Sequence, residues 1–152
     1  DIHARALSTQ LVAQICAEID RMGPMPFQRY MELALYAPGL GYYAAGSRKF
    51  GAAGDFITAP ELGSVFAQGV AQALAHTLQQ FAQPTVMEIG AGSGALAIDL
   101  LSALEQRNAL PARYLILERS ADLRQRQRQR IEQQAPQHVD RVVWIDAPPE
   151  LP

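Results

Sequence analysis

The sequence predicts an α/β protein that contains the opening half of a doubly wound, mostly parallel sheet. Three short apolar runs lie at residues 85–89, 114–118 and 142–145, and helical patterns separate them. Alternation of strands and helices in this order is typical of parallel α/β sheets. A glycine-rich turn, GAGSG at residues 90–94, follows the first run directly. We therefore expect a Rossmann-like arrangement with a ligand site at this turn.

Length and composition exclude several classes of protein. The chain has 152 residues, 13 basic and 15 acidic side chains and a formal charge of −2, so a nucleic-acid or membrane partner is not expected. A lone cysteine, Cys16, and the absence of an apolar run of about 20 residues favour a reducing aqueous compartment. The Arg- and Ala-rich composition favours bacterial cytoplasm, with the mitochondrial matrix as the alternative. The chain starts without Met, which suggests a trimmed start, and its oligomeric state stays open.

The first 84 residues are predicted to form helices and loops. Apolar residues at helical spacing follow a candidate cap at Ser8, and Gly23 with Pro24 ends this helix. Because Cys16 lies on the apolar stripe, we expect it to be buried. A second short helix begins after Pro26 and ends before Pro38.

Residues 37–60 combine glycines and aromatics without periodicity, which is typical of a functional loop. A third helix is predicted from Pro60. Its expected buried face consists of large and small apolar residues: Leu62, Val65, Phe66, Gly69, Val70, Ala73, Leu74, Thr77, Leu78 and Phe81. We predict an N-terminal extension at 1–84 and the first part of the sheet domain at 85–152.

Arg and Gln alternate along residues 124–130. This spacing distributes the side chains around a helix, so a solvated surface is expected, with an RNA or phosphate patch as the alternative. His76 and His138 are expected to be exposed. The histidines and Cys16 lack metal-ligand spacing.

The glycine turn indicates a nucleotide-like ligand. Gly90, Gly92 and Gly94 allow a sharp turn and close approach of backbone N–H groups. With Ala95, the turn also satisfies the dinucleotide fingerprint, which keeps an NAD-dependent oxidoreductase open. Glu88 precedes the turn, where a carboxylate suits a cationic sulfonium better than a pyrophosphate. Glu118 closes the second strand, a position suited to ribose hydroxyls.

The chain resembles the MidA-like S-adenosylmethionine-dependent methyltransferases in several motifs that occur in order. These are YMELALYAPGLGYY at 30–43, GAAGDFITAPE at 51–61, EIGAGSG at 88–94 and YLILERS at 114–120, with Phe66, Leu123 and Gln127. The mitochondrial members of this family are arginine methyltransferases that act in respiratory complex I assembly. The resemblance implies a class I methyltransferase fold, S-adenosyl-L-methionine as cofactor and an arginine-containing protein substrate such as a complex I subunit.

The resemblance also implies a set of site residues. The cofactor cleft would contain Gly90, Gly92, Gly94 and Glu118, beside the Glu88 already considered. Gly54, Phe56 and Thr58 would contribute to a lid over the cleft, and packing and helix entry are the alternative roles of Phe56 and Thr58. Asp55 and Glu61 flank this lid and are the candidate catalytic acids, since carboxylates must hold a substrate guanidinium. Their alternative roles are a turn cap and a first-turn helix acid.

The family motif Asn-Glu-x-x-Asp-x-x-Pro, expected after a fourth strand, is absent from these 152 residues. We therefore expect the chain to be an N-terminal part that alone binds the cofactor weakly and does not turn over. A non-catalytic assembly protein with the same fold is a further alternative.

Overall fold

A computed structural model describes residues 2–45 and 58–149. The helices of the described residues are α1 (Ile2–Met22), α2 (Phe27–Tyr36), α3 (Val65–Leu78), α4 (Ala95–Glu105) and α5 (Ala121–Gln134), and the strands are β1 (Thr85–Ile89), β2 (Arg113–Leu117) and β3 (Val142–Ile145). Short 3-10 helices lie at Ala59–Glu61 and Pro136–Arg141.

The chain forms two compact units, Asp1–Ser47 and Arg48–Pro152. The predicted boundary at residues 84 and 85 marks where the strand–helix alternation begins, but the contacts divide the chain after Ser47. The physical reason is α3, whose small residues Ala67 and Ala71 are buried in the same core as α4. This helix therefore belongs to the unit that contains the sheet.

The first unit contains α1 and α2. Gly23, with φ +86°, ends α1 by donating its N–H to the Ile19 carbonyl at 2.8 Å. Arg29 of α2 binds the Glu18 carboxylate at 2.8 Å and Glu32 at 2.8 Å. No residue of α1 is buried, and Cys16 is exposed. The expectation of a buried Cys16 was wrong, because the helix has an apolar stripe but little of the described chain covers it.

The second unit contains a three-stranded parallel sheet in the order β1-β2-β3. The predicted strands are confirmed, with β2 shifted by one residue so that Glu118 lies just beyond its carboxyl end. Tyr114 and Ile116 of β2 and Leu101 and Leu104 of α4 are fully buried. The carboxyl ends of the three strands meet at one edge, which is also where the glycine turn lies.

The predicted third helix differs from the structure in its start and its buried face. Gly63, with φ +134°, separates the 3-10 helix from α3. Leu62, Val65 and Phe81 are more than half exposed among the described residues. Small side chains pack closely on α4 instead, since they let two helix backbones approach.

His138 is buried, at 1% exposure, which corrects the expectation of an exposed side chain. It lies in the 3-10 helix before β3, with its Nε2 3.5 Å from Glu105 Oε2. Burial lowers the pKa of His138. The described helices contain none that is long and apolar enough to cross a membrane.

Candidate functional site

The glycine turn connects β1 to α4 in a conformation that requires glycine. Gly90, Gly92 and Gly94 have φ values of +69°, +56° and +82°, a region that L side chains avoid. A Cβ atom at Gly90 would stand in open space, with nothing within 4 Å. The turn therefore leaves room for a ligand beside its backbone, at the N-terminus of α4.

Glu88 lies in β1 directly before the turn. Its Oε2 accepts a hydrogen bond of 2.8 Å from the hydroxyl of Tyr114. Burial raises the pKa of Glu88, while the hydrogen bond from Tyr114 acts in the opposite direction. Burial, and then the neighbouring Glu88 carboxylate, raise the pKa of Tyr114. A cation placed against Glu88 would favour its charged form.

Glu118 follows β2 and is 6% exposed. Its Oε1 accepts the backbone N–H of Ser120 at 2.9 Å, and its Oε2 accepts an N–H of Gln127 at 3.3 Å. A carboxylate has about four acceptor positions, so these two hydrogen bonds use about half of the acceptor capacity of Glu118. The Gln127 amide also donates to the Gly92 carbonyl at 3.0 Å, which links Glu118 to the glycine turn.

A second cluster joins the 3-10 helix to the turn. The Ser93 hydroxyl donates to Glu61 Oε1, and Arg130 of α5 donates to the same Ser93 hydroxyl. Arg130 Nη1 lies 3.8 Å from Glu61 Oε1. The Glu61 carboxylate is thus anchored by two partners.

These elements border a cleft with about 380 Å³ of open space, including volume continuous with solvent. The predicted residues Thr58, Glu61, Glu88, Gly90 and Gly92 line it. The remaining lining residues are Pro60, Ala91, Ser93, Ala95 and Leu96.

The other predicted residues lie elsewhere. Gly94 caps α4 behind the turn, where its backbone approaches Gln127. Glu118 is connected to the turn through the same Gln127. Gly54, Asp55 and Phe56 lie outside the described residues, so their predicted roles stay predictions.

The sequence predicts no role for Ser93, Gln127 and Arg130. Gln127 and Arg130 belong to the alternating Arg/Gln segment that was expected to be a solvated surface, yet Gln127 is fully buried. The available signal was the spacing of Leu123, Gln127 and Ile131, which lie four residues apart on one helix face and are all buried.

The geometry fits an adenosine-type ligand with a cationic group. The turn offers open space, Glu88 supplies a carboxylate on the cleft wall, and the Glu118 carboxylate is linked to the turn through Gln127. In the part of the chain that the structure describes, no group of three or more metal-ligating side chains occurs.

Comparison with known proteins identifies related sequences. The profile of a family of S-adenosyl-L-methionine-dependent methyltransferases matches residues 67–152, more than half of the chain. Protein arginine methyltransferase NDUFAF7 homolog, mitochondrial, from Drosophila melanogaster is 37% identical over 97 residues. The match covers 62% of this chain and 22% of the relative. The chain thus spans about a fifth of the length of this relative.

Two solved structures from Burkholderia thailandensis are similar to nearly the whole chain. One, bound to S-adenosyl-homocysteine, is 47% identical with a TM-score of 0.82, and the match covers 97% of this chain and 39% of that chain. The other is 45% identical with a TM-score of 0.77, covering 97% and 37%.

Proposed function

The chain belongs to a family of S-adenosyl-L-methionine-dependent methyltransferases, and we propose that its complete protein methylates arginine side chains of a partner protein. The observation that carries the proposal is the similar structure bound to S-adenosyl-homocysteine, 47% identical over nearly the whole chain. Relatives named as protein arginine methyltransferases support the choice of substrate.

When bound, the cofactor would supply an electrophilic methyl group on a positively charged sulfur. The chain's own residues would position it. The backbone of Gly90 and Gly92 and the Glu88 carboxylate line the cleft and would hold the cofactor there. Glu118, which Gln127 links to the glycine turn, would accept hydrogen bonds from the ribose hydroxyls. Alignment and exclusion of water account for most of the rate in such an in-line displacement.

The substrate guanidinium requires acidic partners, because its pKa exceeds about 12 and one nitrogen must lose a proton after the methyl group is transferred. We propose Asp55 and Glu61 for this role. Glu61 lines the cleft and is held by Ser93 and Arg130. If Asp55→Ala and Glu61→Ala leave turnover intact in the complete protein, both acids are structural.

Calorimetric titration of the protein expressed from its complete coding sequence tests the cofactor. We expect binding of S-adenosyl-homocysteine and none of NAD. Tight NAD binding without a response to S-adenosyl-homocysteine would contradict the proposal.

Mass spectrometry of an arginine-containing protein incubated with the enzyme and S-adenosylmethionine tests the activity. A gain of methyl groups on arginine is the expected result. Binding of the cofactor without methylation of any candidate protein would instead indicate an assembly protein that has kept the fold and lost turnover.

Respiratory complex I subunits are the first partners to test, since the resembling mitochondrial family members act in complex I assembly. We propose bacterial cytoplasm as the compartment, with the mitochondrial matrix as the alternative, because the similar solved structures come from a bacterium. Cell fractionation with an antibody to the protein would distinguish these compartments.

A further inference from the structure

We propose that Gln127 is the positioning residue of the cofactor cleft: its amide fixes the Glu118 carboxylate against the glycine turn so that Glu118 can select the ribose hydroxyls. The inference deepens the proposed function and rests on it. The Gln127 side chain donates hydrogen bonds to groups that we expect to bind the ligand, but it is not among the residues that line the cleft.

All polar atoms of the Gln127 amide are used. Its Nε2 donates to the Gly92 carbonyl at 3.0 Å and to Glu118 Oε2 at 3.3 Å. Its Oε1 accepts the indole N–H of Trp144 at 2.9 Å. The side chain is fully buried, so each lost partner would leave a buried group without a hydrogen bond.

The partners determine which way the amide points. Two acceptors, Gly92 O and Glu118 Oε2, lie at one end, and a donor, Trp144 Nε1, lies at the other. A rotated amide would place oxygen against two oxygens and an NH₂ group against an N–H. Glutamine supplies two donors and an acceptor on one short group, whereas glutamate, methionine and leucine do not.

The rest of α5 holds Gln127 in this place. Its neighbours on the same helix face, Leu123 and Ile131, are buried in the core. A Cβ atom at Gly94 would lie 3.5 Å from Cγ of Gln127, so the helix packs directly on the turn. The Arg128 guanidinium lies 4.6 Å from the centre of the Trp144 ring, whose N–H donates to Gln127.

The amide therefore connects the turn after β1, the residue after β2 and strand β3 itself. Gly92 belongs to the turn after β1, Glu118 directly follows β2, and Trp144 lies in β3. Without the amide, the Glu118 carboxylate keeps its hydrogen bond to the Ser120 N–H but loses the contact that links it to the glycine turn. We expect its remaining acceptor positions to lose their fixed direction toward the ligand.

The test uses Gln127→Glu and Gln127→Met in the protein expressed from its complete coding sequence. Gln127→Glu keeps the shape but removes both donors, and Gln127→Met keeps the length without any polar atom. Gln129→Glu, an exposed position on the same helix, is the matched control. The ligands are S-adenosyl-homocysteine and its 2′,3′-dideoxyribose analogue, titrated by calorimetry.

We expect the wild-type protein to bind S-adenosyl-homocysteine at least about tenfold more tightly than the dideoxy analogue, since lost hydrogen bonds to a charged group cost about that much. Both Gln127 variants should bring this ratio close to one, as Glu118→Gln should. The double variant Glu118→Gln with Gln127→Met should lose no further affinity. Gln129→Glu should keep the wild-type ratio.

A variant that is merely destabilised would weaken both ligands equally and leave the ratio unchanged, which would overturn the proposal. Additive losses in the double variant would overturn it as well. If the wild-type protein fails to bind S-adenosyl-homocysteine at all, the proposed function is wrong; if it binds with a ratio that Gln127 does not affect, only this inference is wrong.

Discussion

The burial of helices α1 and α5 is the opposite of what their sequences suggest. The sequence of α1 has a regular apolar stripe, but the helix contains no buried residue. The sequence of α5 is dominated by Arg and Gln, but Leu123, Gln127 and Ile131 are buried. A few positions on a polar helix can therefore be buried more completely than a continuous apolar stripe, because burial depends on which element packs on that face.

The largest expected effect comes from the same substitution in both helices. Ile131→Ala removes a fully buried side chain and should lower the free energy of unfolding of its unit by about 3 kcal/mol. Ile19→Ala, in α1, truncates a side chain that is 38% exposed and should cost less than about 1 kcal/mol. Urea titration followed by circular dichroism measures both. Equal losses would show that α1 is covered as completely as α5.

An intermediate effect is expected from the two arginine clusters. Arg130→Ala removes the partner of Ser93 and Glu61 and should cost about 1 kcal/mol, because the Glu61 carboxylate is mostly buried. Arg29→Ala breaks a more exposed cluster and should cost less than Arg130→Ala, because solvent screens exposed ion pairs.

Arg124→Ala, on the same helix as Arg130, is the control and should be close to neutral. The free energies of unfolding of the Arg130→Ala, Arg29→Ala and Arg124→Ala variants test this order of destabilisation. If Arg124→Ala lowers the free energy of unfolding as much as Arg130→Ala does, the contacts of Arg130 with Ser93 and Glu61 do not account for its contribution to stability.

The smallest effect is a change in how stability depends on pH. Burial raises the pKa of Glu88, so the folded state binds a proton more readily than the unfolded chain. Stability should therefore fall as pH rises from about 4.5 through the raised pKa, and Glu88→Gln should remove this slope.

Glu18 in α1 should behave in the opposite way. The hydrogen bond from Arg29 lowers the pKa of Glu18, so its contribution is present above 4.5 and is lost as pH falls through the lowered pKa. In the Glu18→Gln variant, the first unit should lose less stability at acid pH than it does in the wild-type protein. Urea midpoints measured from pH 3 to 8 check both variants, and identical pH profiles for the two would contradict the opposite signs.

Much of the fold could be predicted from local sequence. Strands β1 and β3 match their predicted bounds, and Gly23 and the glycine turn lie where the sequence expects chain reversals. These features depend on neighbouring residues, since glycine conformation and apolar runs act within a few positions. The chain also carried enough ordered motifs to indicate its methyltransferase family.

The burial of particular side chains could not be predicted in the same way. Cys16 is exposed although it lies on an apolar stripe, and His138 is buried although it lies beside a predicted loop. Val65 is exposed, whereas Ala67 and Ala71 face α4. Each outcome depends on which element packs on the residue, and that element is distant in sequence.

The sequence by itself determined the order of strands and helices, the position of the glycine turn and the acids Glu88 and Glu118 beside it. Only the tertiary structure decided that Gln127, from a segment that resembles a solvated surface, joins Gly92, Glu118 and Trp144 in one network. The physical reason is that hydrogen-bond partners lying 9 to 35 positions apart meet only after the sheet has formed and α5 has packed on it.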